Sequence, residues 1–213
     1  MKVELKWITP NAEQAIVEIA RVSSSRDDKS QNPEKLLSYL IKNRHWSPFE
    51  MANMCISIHT SRAIGRQILR HRSFTFQEFS QRYASVNEFE EVELRIQADK
   101  NRQSSEDVFD PMIGGSNKIS HIRASDRINH LLSQINELYG LLLDNGVAKE
   151  CARMILPGCT QTHLYMNGTI RSWIHFLEIR DDSHAQKESQ DIAKSIKMIF
   201  KQEMPIIYNL LCS

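Results

Sequence analysis

Val3, Leu5 and Trp7 alternate with Lys2, Glu4 and Lys6, the two-residue period of a half-buried strand. The period then changes. Thr9-Pro10 reads as an N-cap with proline at the first helical position, and Ile16, Ile19 and Ala20 supply one apolar face. Asn32-Pro33 repeats that start signal ahead of Leu36, Leu37, Leu40 and Ile41. Met54, Ile56 and Ile58 alternate through a second strand. Ser61 is placed to cap a helix that turns Ile64 and Ile68 inward. On another side of that helix Arg62, Arg66 and Arg70 recur at i, i+4 and i+8, so it aims Arg70 at whatever lies beyond its end.

Phe89 to Ile96 alternates weakly and predicts a third strand. Residues 98–119 are polar, with Asp110-Pro111 and Gly114-Gly115, and read as a long exposed loop. Ile128, Leu131, Leu132, Ile135, Leu138 and Leu142 mark a long amphipathic helix that Asn145-Gly146 stops. A short helix from Cys151 to Leu156 ends at Pro157, and Thr162 to Met166 predicts a fourth strand. Ile170, Trp173, Ile174 and Leu177 share one helical face, which leaves Arg171 and His175 together on another. Ser183-His184-Ala185-Gln186 has the form of a capping box ahead of a final helix with Ile192, Ile196, Ile199 and Phe200. The pattern is mixed α and β, with the strands early and the helices heavier later.

A chain of 213 residues can bury one sizeable core, so a single domain over 1–213 is expected. Cys55, Cys151, Cys159 and Cys212 show no metal-ligand spacing and read as reduced thiols of a cytoplasmic protein, with no metal site. Met1 to Lys6 lacks the apolar core of a signal peptide, and no apolar run reaches membrane-spanning length. A formal charge of +1 argues against a general nucleic-acid binder.

Against that near-neutral total, one stretch is basic. Between Ser61 and Tyr83 stand Arg62, Arg66, Arg70, Arg72 and Arg82, one histidine and a single acid, Glu78. Arginine's planar fork suits phosphate and carboxylate. The run reads either as a site for a small anionic ligand or as a solvated basic face. GxGxxG is missing, which argues against a Rossmann dinucleotide site, and P-loop, GxSxG and HExxH motifs are missing too.

Arg70-His71-Arg72, seven residues, then Ser80-Gln81-Arg82 resembles the signature of the flavin-dependent thymidylate synthases at every fixed position. Three further blocks resemble that family in the same order: His45-Trp46-Ser47-Pro48-Phe49-Glu50, Ala152 to Pro157, and Arg171 to Arg180 running into Asp182-Ser183-His184-Ala185-Gln186. The resemblance implies an α+β fold with a small, mostly antiparallel sheet and several long helices. It implies FAD contacts at Ser47, Arg70, His71, Arg72, Glu78, Arg171 and His175, with His45 and Glu50 in the flavin and folate pocket. Thr169 falls at a flavin-contacting position where some relatives carry asparagine, as they also do at His175. Threonine keeps a hydroxyl but lacks the amide donor, and Asn167 stands close enough in sequence to compensate. Gly168 would let the backbone approach a ligand. For the nucleotide dUMP the resemblance points to Gln67, Arg70, Glu78, Ser80, Arg82 and Arg153, with Arg180 at the uracil ring as the catalytic charge.

Each residue also has a plainer reading. Ser80 can cap a turn, Glu78 can balance Arg82, and Arg153 can serve a helix C-terminus. Asp181 and Asp182 can neutralise Arg180, and His45 and His175 can pack against aromatics. The activity implied is reductive methylation of dUMP to dTMP, with carbon from 5,10-methylenetetrahydrofolate and reducing equivalents from NADPH through FAD. It also implies a homotetramer with shared sites, in which the basic helix and signature meet the Arg153 and Arg180 region of a neighbouring chain. Two alternatives use the same residues: a flavin- and folate-dependent pyrimidine nucleotide hydroxymethylase, and a non-catalytic nucleotide- or RNA-binding module.

Overall fold

Strand β2 (Asn53–Ser61) is the most buried strand of the protein. Its alternation predicts one apolar and one wet face, yet Cys55 and Ser57 are buried along with Met54, Ile56 and Ile58. Both faces are covered. The computed structural model describes residues 1–23, 32–86, 88–114 and 121–212. Its main sheet has the order β1-β2-β8-β3, with β1 at Lys2–Ile8, β8 at Gln161–Thr169 and β3 at Thr75–Glu78. The pairings are antiparallel. Arg62 N reaches Thr160 O and Ile170 N reaches Ala52 O, while Phe79 N reaches His163 O and Thr75 Oγ1 reaches Asn167 O.

The residues group into two compact units, neither of them one continuous stretch. The first comprises Met1, 59–66 and 78–163; the second comprises 2–58, 67–77 and 164–213. Strands β2 and β8 contribute residues to both.

The second unit holds the larger core. Helix α1 (Ala12–Ala20) starts two residues later than Thr9-Pro10 predicts, from Asn11 in the left-handed conformation. Thr9 is held elsewhere: its N–H and hydroxyl both bond Asn53, tying the end of β1 to the start of β2. Helix α2 (Pro33–Lys42) begins as predicted, with Asn32 Oδ1 accepting from Glu34 N at 3.0 Å. In α6 (Ile170–Arg180) the Thr169 hydroxyl caps Ser172 N at 3.2 Å, and Trp173 is fully buried with its indole N–H on Met54 O. The expected capping box does not form. Helix α7 (Lys187–Glu203) starts at Gln186 with no side-chain cap, because Asp182 takes the His184 N–H in the preceding turn. The sequence reading stops at α7, but Pro205 opens another helix, α8 (Pro205–Cys212). The first-turn N–H of Ile207, which has no partner within the helix, is met by the Glu13 carboxylate of α1 at 2.7 Å. Burial raises the pKa of that carboxyl.

In the first unit, Ser61 Oγ accepts from Ile64 N to cap α3 (Arg62–Ile68), whose last two residues belong to the second unit. The helix ends before Arg70. The expected third strand at Phe89–Ile96 reduces to one bridge, Phe89 to Thr160, and to β4 (Arg95–Gln97). The expected loop at 98–119 holds β5 (Ser105–Val108) and β6 (Met112–Gly114), which pair antiparallel with β4 and with β7 (His121–Arg123). Residues 115–119 of that expected loop lie outside the described residues. Helix α4 (Ala124–Asp144) ends at Asn145-Gly146 as predicted, with Gly146 at φ +82°. It buries only Ala124 and Tyr139. The expected Cys151–Leu156 helix is α5 (Lys149–Ala152) followed by a tighter turn, Arg153–Ile155.

Gly168 lies buried in β8 against the ring of Phe74. A Cβ there would stand 2.4 Å from Phe74 Cδ1 and 2.6 Å from Cε1. The space that the sequence reading gives to a ligand is therefore filled by a side chain of the protein itself. Gly168→Ala is expected to lose about 1–3 kcal/mol through overpacking. Urea unfolding would show a lower midpoint, and Phe74→Leu in the same chain would recover part of it.

Candidate active site

Helix α6 supplies one wall of a cavity of about 730 Å³ in the second unit. Arg171, Ser172, His175 and Glu178 line it from α6, and Thr169 and Ser73 from the segments beside it. Arg44, Trp46 and Glu50 come from the turn after α2. The turn is set by Arg44 itself, which takes φ +56° while His45 N bonds back to Leu40 O. The shared helical face of Arg171 and His175 is borne out, since both are exposed and both line the cavity. Arg171 pairs with Glu50, and His175 Nδ1 lies 3.5 Å from Glu178. Thr169's hydroxyl is engaged with Ser172, whose own hydroxyl donates to Ser73 O.

At the far end of α6 stands a tighter grouping. Arg180 Nε donates to His71 Nε2 at 2.9 Å, and Arg180 Nη2 donates to Gln67 O at 2.9 Å. Asp181 does not neutralise it, because Asp181 pairs with Lys197; Asp182 pairs with His184. Gln67 is fixed in turn by Gln186 and Ser189. His71 rests against the ring of Phe176 at 4.9 Å. Burial, then the charges of Arg180 and His175, push its pKa down to about 4. An arginine only donates, so His71 Nε2 must present a lone pair and the ring proton must sit on Nδ1. Burial also lowers the Arg180 pKa from its ordinary value.

The second half of the signature lies in the first unit. Glu78 Oε1 accepts from Thr162 Oγ1 at 2.8 Å and is not the partner of Arg82. Arg82 pairs instead with Glu150 at 3.3 Å, and Arg153 Nε donates to Glu150 O. Ser80 opens a tight turn, its carbonyl accepting from Tyr83 N and Ala84 N and its Oγ lying 3.4 Å from Arg82 N. Within one chain, Arg180 meets Gln67 and His71, and Arg82 and Arg153 meet the same glutamate.

The implied FAD and dUMP residues sort accordingly. The structure joins Glu50, Thr169, Arg171 and His175 around the cavity, and Gln67, His71 and Arg180 at the end of α6. Glu78, Ser80, Arg82 and Arg153 belong to the other unit. His45 packs edge-on to Tyr39, Ser47 is exposed, and neither lines the cavity. Arg70 and Arg72 are exposed, with no ion pair among the described residues. Arg44, Trp46, Ser73, Ser172 and Glu178 line the cavity without having been singled out for it. Trp46 lay inside a recognised block, whereas nothing in the sequence signals Arg44's left-handed turn.

The family model of the thymidylate synthase complementing proteins matches residues 4–206. A probable flavin-dependent thymidylate synthase of Paramecium bursaria Chlorella virus 1 is 44% identical over 198 residues, spanning 92% of this chain and 88% of the relative. The flavin-dependent thymidylate synthase of a Synechocystis species is 46% identical over 188 residues, 88% of this chain and 84% of that one. Among solved structures, the UMP/dUMP methylase PolB from Streptomyces cacaoi, bound with 5-Br dUMP, is similar with a TM-score of 0.78 and 27% identity. That likeness covers 99% of this chain and 94% of the other. The chain is an enzyme of α+β architecture. It belongs to the flavin-dependent thymidylate synthase family.

His71 gives this site a pH signature. Its folded pKa of about 4 lies below the ordinary 6.5, so the unfolded chain takes up the proton first as pH falls. The pair's contribution to stability is complete above about 6.5 and is lost as pH falls towards 4. Nitrogen NMR at pH 7 is expected to show a neutral ring protonated on Nδ1, still neutral at pH 5.5. A ring titrating at its ordinary value would show that the Arg180 contact does not persist in solution.

Proposed function

We propose that the chain, acting over 1–213 as one catalytic domain, methylates dUMP to dTMP. The carbon comes from 5,10-methylenetetrahydrofolate and the reducing equivalents from NADPH through FAD. The observation that carries this reading is Arg180, a half-buried guanidinium held by two hydrogen bonds and left unneutralised by its acidic neighbours. Such a charge is fixed before any ligand arrives, so it needs no rearrangement during reaction. A uracil placed against it would ionise more readily at N3 and become a better nucleophile at C5.

The cavity fits a flavin nucleotide. Its volume is that of a cofactor pocket. Arg44 and Arg171 would hold a pyrophosphate, Trp46 would face an aromatic ring, and His175 keeps one ring nitrogen for a polar edge. Bound FAD supplies the two-electron chemistry that protein side chains lack. The chain's residues supply position and charge. Ser80 binds and does not attack, because a hydroxyl needs an adjacent base and Glu78 is engaged with Thr162.

The same reading includes a homotetramer in which neighbouring chains complete each other's sites. Leu131, Leu138 and Leu141 of α4 are 53%, 49% and 52% exposed and lie on one stripe, too much apolar surface for a free helix face. Tyr83 and Met154, beside the signature turn and Arg153, are more exposed still. Cytoplasmic residence suits the thiols, which stand unpaired. Among the described residues no helix is long and apolar enough to cross a membrane.

Two measurements test these statements. In Arg180→Ala, methylation of dUMP is expected to fall about a hundredfold, roughly 3 kcal/mol, while flavin reduction by NADPH stays near wild type. Arg180→Lys keeps the charge but not the planar fork and recovers only part. Full methylation in the alanine variant would make Arg180 a structural residue, and protein that binds no added FAD would remove the reading altogether. For assembly, Leu138→Glu is expected to shift the sedimenting species to a smaller oligomer with helix content retained.

A further inference from the structure

Gln186 stands at the N-cap of α7 and does not cap it. That position favours short side chains that fold back onto the first N–H groups of the helix, asparagine, aspartate and serine above all. The glutamine reaches away instead. Its Oε1 accepts from Gln67 Nε2 at 2.7 Å, across 119 residues of sequence. Three residues further on, Ser189 is 2% exposed, and its hydroxyl donates to Gln67 Oε1 at 3.1 Å. The first turn of α7 thus takes both ends of the Gln67 carboxamide.

The backbone of the same glutamine receives Arg180. Gln67 lies in the last turn of α3, where carbonyls run short of helical partners. Its O accepts from Arg180 Nη2 at 2.9 Å and from Arg70 N at the longer distance of 3.4 Å. Between Arg180 and Gln186 runs a short turn that is itself tied down. Asp182 Oδ1 accepts from His184 N at 2.7 Å, Ala185 N bonds Asp182 O, and Gln190 Nε2 donates to Ala185 O at 2.7 Å. The contacts close a ring: from Arg180 along the turn to Gln186, across to Gln67, and back to the guanidinium. Such a ring narrows the positions open to the arginine before any ligand arrives.

We propose that Gln186 and Ser189 are positioning residues for Arg180: they fix Gln67, and the Gln67 carbonyl fixes the guanidinium. This rests on the reading of Arg180 as the charge that activates the uracil. It also gives a task to the Asp182–Gln186 block, whose expected capping box does not form. An asparagine at 186 would cap α7 better, but it is one methylene shorter and cannot reach Gln67 as glutamine does. A local preference is set aside where the site needs the longer reach. A donor held in place speeds reaction, and small misplacements cost rate steeply.

The test uses the FAD-loaded protein. Gln186→Asn is expected to keep or raise the melting temperature, since asparagine caps the helix, yet to slow dUMP methylation about tenfold. Ser189→Ala is expected to slow it similarly, while Ser189→Thr, which keeps the hydroxyl, restores most of the rate. Flavin reduction by NADPH stays near wild type in all three. In an Arg180→Ala background Gln186→Asn is expected to add no further loss, because it acts only through that guanidinium. Nitrogen NMR of His71 reads the arginine without turnover: in Gln186→Asn the Nε2 signal shifts and the ring pKa rises as the neighbouring charge loosens. Wild-type methylation in both Gln186→Asn and Ser189→Ala overturns the proposal. So does an equal loss from Gln186→Asn in the Arg180→Ala background. If Arg180→Ala itself methylates at full rate, the catalytic reading of Arg180 falls. A shifted His71 signal in Gln186→Asn then still upholds the positioning of the guanidinium, and an unmoved one removes both.

Discussion

The contact between Arg180 and His71 ties the end of α6 to the aromatic packing beneath it. For the guanidinium to donate, the imidazole must stay neutral, and burial keeps it so as pH falls below the ordinary imidazole range. Phe176 covers one side of the ring, and Phe74 stands edge-on to it at 6.3 Å. Phe74 in turn sits edge-on to Trp173 at 4.7 Å and close against the one residue in β8 that lacks a side chain, Gly168. A buried aromatic wedge thus sets the protonation state of a histidine, and the histidine sets the direction of an arginine. Chemistry at the surface depends on packing two layers down.

Where the sequence could be read, the reason was local. Asn32 and Ser61 cap the helices they were expected to cap because a short side chain meeting a backbone N–H two or three residues on is a property of that stretch alone. The apolar stripes of α4 and α6 and the stop at Gly146 are of the same kind. Misreadings came where a distant or competing partner intervened. Thr9 was captured by Asn53 and Asp182 took the His184 N–H, so neither expected cap formed. Helix α8 is started by a carboxylate 194 residues away. Strands β5 to β7 escaped notice because they are three or four residues long and mostly exposed, and have no apolar period to display.

The site shows the same division. Residue types and their order identified the family, and most of the residues they pointed to do gather into groups. What the order could not supply was pairing. Glu78 and Arg82 are four apart and of opposite charge, yet each chose another partner. His71 and Arg180 were both recognised, for separate tasks, and the bond that unites them spans 109 residues. Gln186 was read as part of a capping box, and what its side chain holds is a glutamine 119 residues away.

The discontinuity of the two units bears on how the chain is made. Residues 2–58 carry a large part of the larger core, including Ile16, Leu37 and Phe49, but helices that cover them lie in 164–213. A ribosome adding about 5–20 residues per second needs roughly 5–20 s to synthesise what lies between. Through that interval the early segment has no partner for its apolar surface, and Glu13 no backbone amide to receive. The smaller unit can be complete while the larger is still half a molecule. Biosynthesis therefore reaches Arg180 and the helices after it last, and a nascent chain of this enzyme is most open to aggregation and to chaperones before residues 164–213 emerge.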